Sequence, residues 1–174
     1  MARGKLLALA PGTRIVSHDY GIGDWLPDTE YEMDAPGKTV GRSQRSRVLY
    51  WVVPDIVAGR WSWSVNNGGK SVPVELDLQQ NFQKLDATAK FDGRAVPVEQ
   101  AKLTGRMVEV TLQLPERGRF TFSGRRINQA LEGEMRPAGD EKAKGTAWSA
   151  VRVELRDAAH VIAPPPVIRE FAPQ

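Results

Sequence analysis

The sequence predicts a mainly β protein: an antiparallel barrel or sandwich preceded by a partial α/β segment. Three observations predict it. From Gly59 to Leu155 apolar residues recur at every second position in short runs, the period of strands that lay one face on a core. Turn chemistry separates those runs, above all Asn66-Asn67-Gly68-Gly69 and Asp92-Gly93. Before Gly59 the apolar residues come instead in continuous blocks, as in strands covered on both faces. The chain therefore divides into residues 1–57, an antiparallel β domain over 58–156, and a tail over 157–174 that Pro164-Pro165-Pro166 makes extended.

The elements follow in order. Lys5 to Leu9 reads as a short helical piece, Pro11-Gly12 as a turn, and Arg14 to His18 as a compact strand. Gly21 to Lys38, rich in Gly, Pro and Asp, reads as a loop, and Val48 to Val53 as a second strand that Pro54 stops. Two strands and one helical turn cannot close a sheet, so this segment looks like part of something larger. After Gly59, Trp61, Trp63 and Val65 share one side of a strand. Val74, Leu76 and Leu78 alternate with Glu75, Asp77 and Gln79, and Leu85, Ala87, Ala89 and Phe91 with Asp86, Thr88 and Lys90. Val108 to Leu114 continue the scheme, Pro115 to Gly118 turns the chain, and Phe120 and Phe122 return it. Ile127, Leu131 and Met135, a polar loop from Pro137 to Gly145, and a last strand around Trp148 to Leu155 complete a meander.

Composition narrows the function. The chain of 174 residues is 41% hydrophobic and 26% charged, which suits a folded protein of one domain or two small units. No stretch reaches the roughly 18 apolar residues that span a bilayer, so no membrane anchor is expected. Without cysteine there is no disulfide, thiolate nucleophile or Cys-based metal site. Arg42, Arg45 and Arg47, and Arg117, Arg119, Arg125 and Arg126, gather loosely among acids in a chain of net charge +3, which reads as a solvated face and not as a nucleic-acid stripe. Leu6 to Ala10 is too short for a signal-peptide core and runs into Pro11-Gly12, so the chain reads as soluble, with its compartment open.

The chemically richest stretch is Ser17 to Trp25. It begins where the first strand ends, the place where open α/β sheets bind ligands. His18 beside Asp19 and Asp24 could serve as general base or ligand, with Trp25 as an apolar wall. Equally, the two aspartates could cap loop amides while Trp25 covers the sheet. Ser17, His18 and Asp19 cannot form a relay, because consecutive strand residues point to alternate faces. Gly21-Ile22-Gly23 lacks the third glycine of a dinucleotide turn, and no phosphate-binding P-loop is present. With only two histidines, His18 and His160, no metal site is expected. The aromatics Trp61, Trp63, Phe82, Phe91, Phe120, Phe122 and Trp148 could line a cavity, but at period two they read first as core filler.

Three phrases carry a resemblance: Leu9-Ala10-Pro11-Gly12-Thr13-Arg14-Ile15-Val16-Ser17-His18-Asp19-Tyr20, then Gly23-Asp24-Trp25-Leu26-Pro27-Asp28, then Val48-Leu49-Tyr50-Trp51-Val52-Val53-Pro54. They resemble the C-terminal strands of bacterial class I S-adenosylmethionine-dependent methyltransferases. The first looks like the fifth strand of their Rossmann-type sheet and the last like the final antiparallel strand. Gly59 to Trp63, Leu78 to Gln83 and Trp148 to Val153 resemble the β domain that some members append. The resemblance implies a methyltransferase using S-adenosylmethionine, but the Asp-x-Gly-x-Gly cofactor turn and the acid that ends the second strand are absent. Cofactor-binding residues are therefore none in this chain. His18, Asp19, Asp24 and Trp25 match a segment bordering the substrate side.

Gly59-Arg60-Trp61 also resembles the Gly-x-Trp opening of lipocalins, which makes a lipocalin-like meander possible. The expected function is thus the C-terminal portion of a methyltransferase-like protein, incompetent alone; the alternative is a non-enzymatic barrel that binds a small apolar ligand or a protein partner. Apolar strands left open would pair with a second copy or with a separate N-terminal catalytic half.

Overall fold

The computed structural model describes residues 2–39, 44–140 and 142–155. The expected tail, with His160, and Arg42 lie outside them. One short helix, α1 (Ala2–Leu7), precedes β1 (Arg14–His18), β2 (Thr29–Asp34) and β3 (Arg45–Val52). These strands form one sheet in the order β1-β3-β2, and both outer strands run antiparallel to β3.

The α/β expectation for residues 1–57 finds no support. Parallel neighbours need crossover connections of roughly a dozen residues, usually helical, and here Pro27, Pro36 and several glycines interrupt the connecting segments. β2 emerges from what the sequence presents as loop. All six of its residues are exposed, so it carries no burial pattern to read.

The sheet covers one face only. Leu49 and Trp51 of β3, with Val53 beyond it, pack against Leu6 and Leu7 of α1, Ile15, Ile22, Trp25 and Phe82. Register puts Val16 opposite Tyr50, and Val48 opposite both His18 and Tyr31, on the other face. There Val16 is 66% exposed, Tyr31 62% and Met33 51%, with Val48, Tyr50 and Val52 half-buried. The free edges of β1 and β2 have no strand partner among the described residues.

The remaining strands are β4 (Gly59–Asn67), β5 (Lys70–Asn81), β6 (Lys84–Phe91), β7 (Arg94–Val96), β8 (Val98–Thr104), β9 (Met107–Leu114), β10 (Gly118–Ile127), β11 (Ala130–Pro137) and β12 (Thr146–Leu155). They make one antiparallel meander in the order β7-β6-β5-β4-β12-β11-β10-β9-β8. Only Pro97 separates β7 from β8, so a single bent run of chain ends the sheet at both edges, and the meander curls into a nearly closed barrel. Pro97 cannot donate to a ladder; its carbonyl still accepts the Gln113 N–H. The turns obey their chemistry: Asp92 (φ 50°) and Gly93 (φ 74°) take the left-handed conformations of a two-residue hairpin.

Side chains fill the barrel interior. Trp61, Val74, Leu76, Leu78, Val108, Leu112, Leu114, Phe122 and Leu131 are fully buried or nearly so. Trp63, Phe122 and Trp148 meet edge-on or tilted, with ring centroids 5.0–5.5 Å apart. Room for the Trp148 indole comes from Gly124, which pairs with Gly133. A methyl group on Gly124 would lie 2.9 Å from the indole, and one on Gly133 would strike the Ser123 carbonyl. The expectation that these aromatics are core filler holds inside the barrel. Phe82 lies outside it, in the core of the sheet. No helix of the described residues is long and apolar enough to cross a membrane.

Candidate functional site

The segment singled out by sequence is split by the structure. His18 ends β1 with its side chain 64% exposed, and Asp19 follows at φ 66°, a left-handed residue that lets the chain leave the sheet. The Asp19 carboxylate accepts the Arg47 backbone N–H at 2.8 Å, pairs with Lys38 Nζ at 2.5 Å and lies 3.7 Å from His18 Nε2. The Lys38 hydrogen bond first, and the Arg47 amide second, hold this carboxyl below its ordinary value. A carboxylate so committed fastens the 35–39 segment to the sheet and is a poor proton acceptor.

Asp24 joins neither of them; it pairs with Arg3 of α1. Trp25 is 1% exposed and lies in the core between the sheet and the barrel. Its ring stacks on Phe82 at 6.0 Å and its Nε1–H donates to Gln83 Oε1. Of the four residues, the structure brings only His18 and Asp19 together. Among the described residues no group of three or more His, Asp or Glu gathers as a metal site.

The residues that sequence reasoning missed lie where sheet meets barrel. Gln80 is buried, and its side-chain oxygen accepts the N–H groups of Val57 and Ala58 while its nitrogen donates to the carbonyls of Asp55 and Phe82. All four hydrogen-bonding positions of the amide are used. Gln83 ties the Leu26 carbonyl and the Trp25 indole to the same hairpin. From the other side Gly105 (φ 57°) docks against Gly12 and Val52, and its carbonyl accepts the Asp55 N–H.

Beside this joint, Asp55, Arg126 and Arg152 form a polar cluster at one end of the barrel. Asp55 is 2% exposed; its Oδ1 accepts the Ile56 N–H and both Nε–H and Nη2–H of Arg126. Arg152 lies over the Trp61 ring, 4.4 Å from its centroid, and donates to the Ile56 carbonyl. Burial chiefly, then the neighbouring Arg126 charge, pushes the Arg152 pKa down. A signal was present in the sequence. Arg126 continues the inward parity of Phe122 and Gly124, Arg152 that of Trp148 and Ala150, and Gln80 that of Leu76 and Leu78.

Comparison with known proteins gives no matching family model, no matching curated protein and no matching solved structure.

Proposed function

We propose that this chain is the C-terminal portion of an S-adenosylmethionine-dependent methyltransferase-like protein, and that it does not transfer a methyl group alone. The observation that carries the reading is the half-covered sheet: β3 lies between two strands antiparallel to it, one face is packed and the other shows Val16, Tyr31 and Met33. An apolar sheet face and an unpaired edge strand are what a larger sheet covers and extends. The antiparallel pairing of β1 with β3 agrees with the resemblance of these two segments to a fifth and a final strand. Methyl transfer needs the sulfonium held in line with its acceptor, and the turn that would hold it is absent from the sequence. The cofactor, on this reading, belongs to a partner half or a longer parent chain.

The alternative, a non-enzymatic barrel module, is favoured less in its apolar-ligand form. Trp61, Trp63, Phe122 and Trp148 occupy the interior that a ligand would need. As a module that binds a protein partner it would use the same open sheet face.

The test is the coding sequence upstream of Met1 in its source. An in-frame extension with an Asp-x-Gly-x-Gly turn after its first strand, and an acid ending the second, is expected. An in-frame stop directly before Met1, with no separate chain that binds this one, overturns the reading.

A further inference from the structure

Three places could hold something. The groove over β8 to β11, about 760 Å³, sets Arg119, Arg136 and Lys142 against Glu99, Glu109 and Asp140, a balance that selects no ligand charge. The open sheet face belongs to the reading already given. The third place is different in charge and in construction.

A pocket of about 360 Å³ opens where the sheet, the linking loop and the barrel meet, lined by Ala10, Pro11, Asp55, Arg106, Arg126 and the Ile127–Asn128 turn. Its size falls in the range of roughly 300–1,000 Å³ typical of small-molecule sites, and a junction between folded units is a common place for one. Two guanidiniums, those of Arg106 and Arg126, line it. Against these two cations there is one lining carboxylate, Asp55, whose Oδ1 is already bonded to Arg126.

The donors are also free in the right place. Arg126 spends Nε–H and one Nη2–H on Asp55 and one Nη1–H on the Asn128 carbonyl, which leaves two of its five N–H groups. Arg106 has no hydrogen-bonding or ion-pair partner among the described residues. Its stem packs along Gly12, Cγ and Cδ each 3.8 Å from where a methyl group there would stand, which keeps the guanidinium at the pocket wall. Asn128, at φ 55°, holds the turn that forms the opposite wall.

We propose that this pocket binds the oxyanion group of a small molecule, a phosphate or a carboxylate, between the Arg106 guanidinium and the two remaining N–H groups of Arg126. Guanidinium forks match both kinds of oxyanion, and a pocket lined by two guanidiniums and one carboxylate keeps a net positive charge to attract either. The site is independent of the methyltransferase reading, since it uses only residues of this chain.

The test uses the full chain titrated with inorganic phosphate and, separately, with acetate, each against chloride at equal ionic strength. Heat of binding and the amide resonances of Arg106 and Asn128 are followed together. Saturable binding of at least one of the two, with those resonances moving, is expected. Arg106→Gln, an exposed change that leaves the Asp55 pair intact, weakens it roughly tenfold, the size of one charge-assisted hydrogen bond. Arg94→Gln, the same charge loss on β7, leaves it unchanged. Whichever anion binds more tightly names the class. No saturable binding of either, or equal loss in both variants, overturns the proposal.

Discussion

The barrel and the three-stranded sheet are both antiparallel, yet they differ in how much of themselves they cover. In the barrel each of β4, β5, β6, β9, β10, β11 and β12 has a strand on both sides, and the inward residues meet one another across a filled centre. In the sheet only β3 has two neighbours, and on its outward face Val16, Tyr31 and Met33 stand half to two-thirds exposed. The lesson is that one chain holds a unit whose apolar pattern is answered internally and another whose pattern is answered on one side only. The uncovered side is where the sheet keeps apolar side chains in solvent.

The largest expected effect sharpens this contrast from the barrel side. Phe122→Ala removes a fully buried ring from contact with Trp63 and Trp148 and should cost about 3–5 kcal/mol, read as a fall in the urea midpoint with the slope unchanged. Next comes the joint. Gln80→Ala leaves two buried N–H groups and two carbonyls without partners and should cost about 2–4 kcal/mol. If the two units are as distinct as described, amides of β1 and β3 lose protection in this variant before those of β9 to β11 do.

The opposite pole of the comparison is the open face. Val16→Ser with Tyr31→Ser should change stability by no more than about 0.5 kcal/mol and reduce self-association in light scattering. A loss of several kcal/mol would mean that the face is covered in solution and would break the contrast.

How much of this could be read beforehand depends on which physical signal each segment carries. β5, β6 and β9 announce themselves because one face lies on the barrel core, so polarity alternates cleanly from Val74 to Leu78 and from Leu85 to Phe91. β2 stays hidden because both of its faces are exposed, and Tyr31 and Met33 alone do not make a period. The closing run β7 and β8 is obscured by Pro97, which reads as a strand breaker and in fact marks the bend. The pairing of the early strands is not legible locally, since direction depends on connections that the sequence shows only as Gly- and Pro-rich loops. In the predicted site, sequence placed Asp19, Asp24 and Trp25 side by side, but the chain turns at Asp19 and Gly23, and three neighbours end in three environments. Gln80, Arg126 and Arg152 were legible in principle, as polar residues at inward positions.

The smallest effect concerns pH. The folded Asp19 carboxyl titrates below its ordinary value of 3.8, so its contribution is complete above that value and is lost as pH falls through the folded pKa. Asp28 acts in the other direction, since desolvation raises its pKa and its effect is lost as pH rises. The Asp19 step is therefore best read locally: the Arg47 amide resonance, which reports the Asp19 bond, should titrate with a midpoint below 3.8, and Lys38→Met should move that midpoint upward.

The account turns on the barrel strands being paired and packed more fully than those of the sheet, and native-state hydrogen exchange of the full chain measures this strand by strand. Amides of β4 to β6 and β9 to β12 should exchange only through global unfolding, while those of β1 to β3 open at distinctly lower free energy. Equal protection of β1 and β3 with the barrel core, in a chain shown by light scattering to be monomeric, would contradict it.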